Sequence, residues 1–382
     1  MIWLGIFLGK AITGPLSVQI DLTNRCNNRC IACWCRSPLL KDKAMPRKLI
    51  NKTLSFPKLK MLIEELAGMG VQEIYLTGGG EPFMHRDIIK IMELIKKNGM
   101  RCAMSTNFTL LDKIKIKRIV DLGVDEINVS LWAATPETYS KTHLNQTPET
   151  FTKIKENLKY IHSIKTELRR KKPEINLHNV IMKLNADEIK EMVEFAFEVK
   201  ADSVDFVPVD TIPNRTDILL PSKTQYKKII NDIFQIKMQT EGLRKKFRHN
   251  LKIRNLDLFI NRIKNIKSCA KYDSGVVDRI PCYSGWTFAR IMADGNVIPC
   301  LKAHRIPSGN ILNRNFSEIW YGQKEVFFRK KTFVYKKEGA FFTKIGNDLS
   351  TDSGCRKGCD NIEMNAAIHK FMGPFLFFKR RI

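Results

Sequence analysis

Strand-like and helix-like segments alternate along the chain from Ser17 to Val209. Six short apolar stretches predict strands, and the segments between them have helical periodicity, several of them ending at a glycine. The predicted strands are Ser17–Thr23, Glu73–Thr77, Arg101–Thr106, Glu126–Trp132, Ile175–Met182 and Ser203–Val209. This alternation indicates an α/β fold with parallel strands and right-handed crossovers, either an open doubly wound sheet or an incomplete barrel. In both folds the functional residues belong at the carboxyl ends of the strands.

The composition limits the class of protein. The chain has 382 residues, of which 43% are hydrophobic and 27% charged, a globular composition that excludes a wholly disordered chain. No uninterrupted apolar run approaches the roughly 20 residues that cross a bilayer, which excludes a polytopic membrane protein. Ten cysteines in a chain of this length are too sparse for a small disulfide scaffold.

The first residues, Met1–Ala11, are apolar but few, and no basic residue precedes the apolar stretch. Signal peptides usually have such a residue and a cleavage site, so we expect this segment to be retained, either docked on the fold or touching a membrane surface. The protein is therefore predicted to be cytoplasmic, in a compartment that keeps thiols reduced. There, metal binding or catalysis explains cysteines better than disulfides do.

Three cysteines directly follow the first predicted strand. Cys26, Cys30 and Cys33 have the spacing Cys-x3-Cys-x2-Cys on one loop. Structural zinc and iron–sulfur sites normally have four protein ligands, whereas a cubane cluster held by three thiolates keeps one iron open to a small molecule. The alternatives are a zinc site completed by Cys35 or a distant residue, and unrelated buried thiols.

This spacing resembles the signature of the radical S-adenosylmethionine (SAM) superfamily, and the aromatic Trp34 beside the third cysteine is similar as well. The resemblance implies a [4Fe–4S] cluster on the three cysteines, with SAM chelating the open iron. It implies that an electron from a reductant such as flavodoxin or ferredoxin cleaves SAM to methionine and a 5′-deoxyadenosyl radical, which abstracts hydrogen from a substrate. The resemblance covers about Ser17–Val209 and selects a partial (βα)6 TIM-like barrel. Cys35 departs from the simplest pattern.

The same resemblance implies further contacts with SAM. The turn after the second strand resembles the motif that contacts the SAM amino group in this family. Its residues suit that contact, since glycines allow a ligand to approach the backbone closely and an acid can receive an ammonium group. Polar residues near the ends of the next three strands are implied to face SAM, although capping of free backbone groups explains Asn107 equally well. The implied SAM-contacting residues are Gly78, Gly79, Gly80, Glu81, Asn107, Ser130 and Asn185.

A second group of cysteines lies towards the end of the chain. Cys282 and Cys300 have the spacing Cys-x12-Gly-x4-Cys around Asp294-Gly295, a dipeptide whose apolar flanks predict a β-hairpin. Cys355 and Cys359 add two more thiols. On spacing alone, four thiolates from a hairpin and a short loop suit a closed cubane cluster or a zinc ion equally well.

The unit around Cys282 and Cys300 resembles the SPASM/twitch extension that follows many radical SAM cores. The resemblance implies one auxiliary [4Fe–4S] cluster, held by these two cysteines with Cys355 and Cys359. Such a cluster takes an electron from the substrate, relays electrons or stabilises the fold. Cys269 is an alternative ligand, whereas the isolated Cys102 is interpreted as a small core residue.

The alternation of strands and helices stops after Val209. Residues 223–267 contain 13 Lys and Arg but only 3 Asp and Glu, with apolar residues spaced for a helix. The sequence therefore predicts four parts: an apolar N-terminal segment (1–16), a radical SAM core (17–210), a basic helical connector (211–268), and an auxiliary-cluster module with the C-terminal tail (269–382).

The net charge of +26, from 65 Lys and Arg against 39 Asp and Glu, predicts an anionic partner. An AT-rich genome would also raise the lysine content. The sequence contains no recognised nucleic-acid-binding module, and its aromatic residues are not interleaved with basic ones. The apolar ends, flanked by Lys10 and by Lys379–Arg381, favour peripheral contact with a membrane surface instead.

The sequence thus predicts a radical SAM enzyme that acts on an unactivated C–H bond of an anionic small molecule, a sugar- or lipid-linked substrate or a peptide. Dehydrogenation, epimerisation and crosslinking all suit this architecture. Only 25 residues precede Cys26, which leaves no room for a leader-peptide-binding domain and favours a sugar, cyclitol or lipid-linked substrate. The alternatives are a radical SAM RNA-modifying enzyme and a basic, zinc-stapled protein that binds nucleic acid or a membrane surface.

Overall fold

The computed structural model describes residues 1–265, 271–346 and 354–379. Its strands are β1 Ser17–Asp21, β2 Glu73–Thr77, β3 Arg101–Thr106, β4 Glu126–Ser130, β5 Glu174–Ile181, β6 Ser203–Pro208, β7 Lys252–Arg254, β8 Phe288–Ile291, β9 Asn296–Ile298 and β10 Gly309–Asn310. They form one sheet in the order β10-β9-β8-β1-β2-β3-β4-β5-β6-β7. The pairs from β1 to β7 are all parallel, and the sheet is not closed. The predicted α/β class with a partial barrel is confirmed.

Helices connect and cover these strands. They are α1 Ile2–Leu8, α2 Arg47–Ile50, α3 Phe56–Gly68, α4 Ile88–Lys97, α5 Lys113–Leu122, α6 Pro136–Thr142, α7 Pro148–Glu167, α8 Ile189–Glu198, α9 Lys223–Phe247, α10 Leu256–Lys264, α11 Ser274–Val277, α12 Ser284–Thr287, α13 Phe316–Trp320, α14 Gln323–Thr332, α15 Gly354–Lys357 and α16 Ile362–Lys379. None of the helices in the described ranges combines the length and the apolar character that crossing a bilayer requires.

The helices between β1 and β6 cover the sheet as their periodicity predicts. In α3, for example, Leu59, Leu62, Ile63 and Leu66 are buried on one face. Each such side chain contributes about 1.5–3 kcal/mol through burial. Gly123 ends α5 at φ 65°, a left-handed conformation that glycine adopts without strain. These local signals explain why the six predicted strands and their helices are present.

The predicted fourth strand is longer than the observed one. β4 ends at Ser130 because the backbone changes direction there: Trp132 has φ 58°, outside the strand conformation, and its N–H donates to Asn179 Oδ1 at 3.1 Å. The strand therefore stops where its carboxyl end meets the loops that carry the polar residues.

The module after the connector continues the same sheet. β8 and β9 form the predicted hairpin, with Gly295 at φ 86° in its turn. β8 then pairs in parallel with β1, the strand that leads into Cys26, Cys30 and Cys33. The loop with Cys26, Cys30 and Cys33 and the loop with Cys300 therefore follow strands of one continuous sheet, whereas Cys355 and Cys359 lie in and after the short helix α15.

Candidate active site

The three cysteines after β1 meet in one cavity. Cys26, Cys30 and Cys33 are half-buried and line a cavity of about 470 Å³ at the carboxyl ends of the parallel strands. The same cavity is lined by the predicted SAM-contacting residues of three strand ends: Gly78, Gly79, Gly80, Glu81, Asn107 and Ser130. The structure thus brings together residues that are more than 100 positions apart in the sequence.

Hydrogen bonds from neighbouring loops hold the cysteine loop in place. Asn27 Nδ2 donates to Thr109 Oγ1 at 2.8 Å, and Asn27 Oδ1 accepts from Asn107 Nδ2 at 2.9 Å. On the other side, Gln146 Nε2 donates to Asn28 Oδ1 at 2.8 Å. The loop is therefore held by the loops that follow β3 and α6.

Burial and mutual repulsion oppose ionisation of two of these thiols. Burial raises the pKa of Cys26 to about 11 and that of Cys30 well above its ordinary value. A hydrogen bond between Cys33 and Cys35, whose sulfur atoms lie 3.8 Å apart, lowers the pKa of Cys33 to about 7. Three thiolates in this site need compensating positive charge, which the iron ions of a cluster provide.

The glycine turn after β2 packs directly on the cysteine loop. A Cβ atom on Gly80 would lie 2.1 Å from the Arg25 carbonyl oxygen, and one on Gly79 would lie 2.4 Å from Asn24 Oδ1. Only glycine fits at position 80, because backbone approaches backbone there, whereas a side chain at position 79 would have to displace the side chains of Asn24 and Met45. Glu81 N–H donates to the Arg25 carbonyl at 2.8 Å and closes this contact.

The Glu81 carboxylate is buried and accepts three hydrogen bonds. Oε1 accepts from Phe83 N at 3.1 Å and from Thr106 Oγ1 at 2.7 Å, while Oε2 accepts from Asn107 N at 2.7 Å. Burial nevertheless raises its pKa to about 7. The side chain therefore joins the ends of β2 and β3 and also presents a titratable group to the cavity.

The other three predicted SAM contacts differ in their placement. Ser130 lines the cavity at the end of β4. Asn107 lines it too, but its Oδ1 accepts from Thr109 N at 3.0 Å. This hydrogen bond caps the end of β3, which was the alternative explanation for an asparagine at this position. Asn185 is buried, and its amide donates to the Trp132 and Val180 carbonyls, both at 2.9 Å. Within the described part of the chain, the cavity wall does not include Asn185, so its contact with SAM stays a prediction.

The sequence did not predict the charged residues that the later parts of the chain contribute to this cavity. Arg262 and Arg290 are anchored by bidentate ion pairs to buried carboxylates, Asp273 and Asp21. Lys302 Nζ lies 2.7 Å from Asp210 Oδ2. Burial alone would lower the pKa of Lys302, but nearby carboxylates raise it above its ordinary value. These charged residues are distant from each other in sequence. Only Lys302 lies close to a predicted ligand, two residues after Cys300.

A histidine and an aspartate on β5 and β6 form a further pair that sequence reasoning missed. His178 lines the cavity, and its Nδ1 lies 2.9 Å from Asp205 Oδ2. Burial acts to lower the pKa of His178, but the Asp205 carboxylate outweighs it, so that the pKa is raised above its ordinary value. Asn176 Nδ2 donates to the other oxygen of Asp205 at 2.5 Å. The period-two pattern of β5 could have identified His178 as an inward-facing polar residue.

The second group of cysteines lines an adjacent, smaller cavity of about 40 Å³. Cys282, Cys300, Cys355 and Cys359 all border it, so the structure brings together the four cysteines that were predicted to share one site. Burial raises the pKa of Cys300 and Cys359 well above the ordinary thiol value. Both cavities share part of their walls: Leu301, Lys302, Gly358 and Asp360.

The buried Lys337 ammonium also borders the smaller cavity. Its Nζ lies within 2.5–3.0 Å of four carbonyl oxygens, those of Val277, Ile280, Val334 and Tyr335. Burial lowers its pKa. A fixed cation therefore lies beside the thiols of this site.

The remaining cysteines have separate positions. Cys102 is fully buried in the hydrophobic core, as predicted. Cys35 is buried, and its thiol lies 3.7 Å from the Gly79 carbonyl. Cys269, the alternative ligand, lies outside the described residues.

The donor sets suit iron–sulfur clusters. In the ranges that the structure describes, no three His, Cys, Asp or Glu side chains are grouped closely enough to hold a single metal ion. The assignment of iron–sulfur clusters therefore depends on the thiols that line each cavity, three in the larger and four in the smaller. Cys26, Cys30 and Cys33 would hold the cluster that leaves one iron open to SAM, and the four later cysteines would hold a fully ligated one. When bound, the first cluster and SAM supply a radical that abstracts hydrogen from substrate carbon.

Comparison with known proteins supports this interpretation. Residues 20–196 match the model of the radical SAM superfamily, and residues 282–340 match that of the SPASM iron–sulfur cluster-binding domain. The second match includes Cys282 and Cys300, whereas Cys355 and Cys359 follow it in the chain.

Two relatives are similar over most of the chain. A tungsten-containing aldehyde ferredoxin oxidoreductase cofactor-modifying protein from Pyrococcus furiosus is 24% identical, over 91% of this chain and 89% of that protein. A PqqA peptide cyclase from Rhizobium meliloti is 22% identical, over 81% of this chain and 74% of that protein. Among solved structures, Streptococcus suis SuiB bound to its precursor peptide shares the fold, with a TM-score of 0.62 and 15% identity over 92% of this chain and 74% of SuiB. The chain therefore contains a radical SAM domain and a SPASM iron–sulfur domain and is identified as a radical SAM enzyme.

Proposed function

We propose that this enzyme carries out a net oxidation of an anionic substrate whose reacting carbon enters the 470 Å³ cavity. The single observation that carries the choice of substrate class is the charge of the cavity wall. Among the described residues, five cationic side chains line it against three carboxylates: Arg36, Arg262, Arg290, Lys302 and Lys357 against Glu81, Asp210 and Asp360. Asp273 and Asp21 balance Arg262 and Arg290 from behind the wall, so the wall is not positive in sum, but more cationic than anionic groups line the cavity, and such groups can bind and orient an anion.

The cationic groups are held in fixed directions. Buried carboxylates behind the wall anchor Arg262 and Arg290, and Lys357 Nζ donates to the Thr211 carbonyl at 3.0 Å. Side chains that are already ordered lose little conformational freedom when a ligand binds. A substrate carboxylate or phosphate placed against these groups would keep one end of the substrate still while a C–H bond elsewhere in it reacts.

The shared wall of the two cavities supports an oxidative outcome. Lys302 and Asp360 border both the larger cavity and the smaller one with its four thiols. The auxiliary cluster, when bound, supplies an electron-accepting centre beside the substrate. Loss of a hydrogen atom and then of an electron and a proton is a two-electron oxidation, such as dehydrogenation or crosslinking. We assign the proton to His178, which lines the cavity and whose Nδ1 lies 2.9 Å from Asp205 Oδ2.

The names of the two relatives indicate two kinds of substrate. One is named for a peptide and another for a cofactor. The cavity must hold part of SAM and the reacting part of the substrate together, which favours a side chain of an acidic peptide or a small anion over a large rigid molecule.

Stimulation of SAM cleavage by cell-extract fractions tests this proposal. Anaerobic protein with both clusters, SAM and dithionite should form more 5′-deoxyadenosine with fractions that an anion exchanger retains than with fractions that pass through. The Lys302→Gln and Lys357→Gln variants should lose this stimulation but keep the slow, substrate-free cleavage. Lys60→Gln, a substitution of an exposed lysine on α3, should behave like the parent protein. Stimulation found only in the unretained fractions would overturn the assignment of an anionic substrate.

A further inference from the structure

We propose that the two ends of the chain form a docking surface for an anionic lipid bilayer. This surface, the terminal apolar patch, consists of exposed side chains of α1 and α16: Met1, Trp3, Leu4, Leu8, Phe371 and Phe375. The inference does not depend on the proposed substrate.

The structure holds both helices firmly against the SPASM module. The inner face of α1 packs through Ile6 on Trp286 of α12 and on Ile368 and Met372 of α16. The Trp3 and Phe371 rings meet with their centroids 4.9 Å apart, which joins the two helices at the surface.

Polar contacts fix α16 to the same module. Tyr283 N–H donates to Asn365 Oδ1 at 2.8 Å, and the Tyr283 hydroxyl lies 2.8 Å from His369 Nδ1. The two helices of the terminal apolar patch are therefore held in a fixed relative orientation by a packed core beneath them.

Large apolar side chains also lie on the outward side of these two helices. Trp3, Leu4 and Leu8 are 40–51% exposed, and Phe371 and Phe375 are 54% and 55% exposed. An amphipathic helix at a protein surface normally turns charged residues outwards, whereas α1, with the sequence IWLGIFL, has none. A contiguous apolar surface of this kind indicates an interaction site.

The charge around the patch decides which occupant it suits. In sequence, residues 1–16 and 362–382 contain five Lys and Arg against one acidic residue, Glu363 in the first turn of α16. Lys10 and Lys370 are exposed in the structure. In a symmetric dimer the patch would meet a second copy of itself. Lys10 and Lys370 of the two copies would then lie close together, and the net charge of +26 on each copy would oppose the contact.

An anionic bilayer satisfies both properties of the patch. Its acyl region accepts the aromatic and aliphatic side chains, and its headgroups attract the cations at about 1 kcal/mol for each Lys or Arg near the surface. The seven residues of α1 extend over only about 10 Å, which matches a helix lying in the interface.

Vesicle sedimentation tests the inference on the full-length protein with both clusters. We expect the protein to pellet with mixed phosphatidylcholine–phosphatidylglycerol vesicles, less so with pure phosphatidylcholine vesicles, and less at high salt. The double variant Trp3→Ser/Phe371→Ser should bind at least about tenfold more weakly, because it removes two large apolar side chains. The Phe234→Ser variant, at an equally exposed phenylalanine on α9, should bind like the parent protein.

A second variant distinguishes weaker membrane binding from misfolding. Lys10→Glu/Lys370→Glu alters only exposed charges and should weaken binding to the anionic vesicles while leaving the iron content unchanged. Binding by the Trp3→Ser/Phe371→Ser protein equal to that of the parent would overturn the proposal. So would a parent protein that forms dimers through the patch and stays in the supernatant with every vesicle composition.

Discussion

Asp21 on β1 and Arg290 on β8 form a buried bidentate ion pair across 269 positions of the chain. Arg290 Nε and Nη2 donate to the two carboxylate oxygens at 3.0 and 2.8 Å, and the guanidinium lies 5.2 Å from the centre of the Trp34 ring. This pair links the strand that leads into the radical SAM cysteines to the first strand of the SPASM module. It also orients the Arg290 guanidinium at the wall of the cavity.

Removing one charge from this pair should destabilise the fold strongly. Asp21→Asn preserves the shape of the side chain but leaves a buried guanidinium unpaired, which costs about 3–5 kcal/mol. Glu93→Gln is the matched control, because Glu93 pairs with Arg118 where both side chains are half exposed, and such pairs contribute about 0–1 kcal/mol. Anaerobic urea unfolding of both variants measures the difference. Equal midpoints for the two variants would show that the pair does not join the modules energetically.

Cys35 should support the first cluster without ligating it. Its thiol lies 3.8 Å from Cys33 Sγ, and the hydrogen bond between them favours the thiolate of Cys33. We expect Cys35→Ala to retain the iron of the first cluster, and Cys33→Ala to lose it. Iron and sulfide analysis after anaerobic reconstitution distinguishes the two, and equal iron loss in both variants would identify Cys35 as a ligand.

Affinity for SAM should depend on the protonation of Glu81. Burial raises the pKa of its carboxyl group to about 7 in the protein without SAM. A charged carboxylate favours the SAM ammonium group and a protonated one does not, so binding should tighten as pH rises. For one group with this pKa, the Kd falls about tenfold between about pH 6 and pH 8.

Equilibrium dialysis with the cluster-loaded protein measures this dependence. Glu81→Gln removes the titrating group and should give a nearly flat profile, with weaker binding at the higher pH. A parent profile without slope, or the same slope in the variant, would show that Glu81 acts only in joining β2 to β3.

The Lys337 ammonium should raise the reduction potential of the auxiliary cluster. It borders the same cavity as the four thiols, and a nearby positive charge stabilises the more negative, reduced form of a cluster. Lys337→Met is therefore expected to lower the midpoint potential by tens of millivolts in an EPR-monitored titration. The neighbouring Lys336, which is exposed, provides the control variant Lys336→Met, whose potential should be that of the parent protein. An unchanged potential in Lys337→Met would exclude this role.

Local sequence signals predicted the elements that depend on local physics. The strands β1 to β6 follow from period-two or continuous apolar segments, and Gly123 marks the end of a helix because it adopts the left-handed conformation. β7 was missed, since its three residues, Lys252–Arg254, are too few and too charged to show a pattern. The parallel pairing of β8 with β1 depends on contacts between distant segments and leaves no trace in local periodicity.

The same distinction applies to the site. Cys26, Cys30 and Cys33 were predictable because a cluster needs several ligands close together in one loop. The charged wall formed by Arg262, Arg290 and their buried partners was not predictable in this way. It forms only when the connector and the SPASM module fold over the core. Residues of this kind have no characteristic spacing, so the sequence suggested an anionic partner from the net charge but not where it binds.

The most direct test of the account is SAM cleavage by two sets of cysteine variants. The variant Cys26→Ala/Cys30→Ala/Cys33→Ala should form no 5′-deoxyadenosine from SAM and dithionite under anaerobic conditions, while it retains the iron of the auxiliary site. The control Cys282→Ala/Cys300→Ala should lose that second iron and still cleave SAM. Formation of 5′-deoxyadenosine by the triple variant at the rate of the parent protein would contradict the assignment of the first cluster.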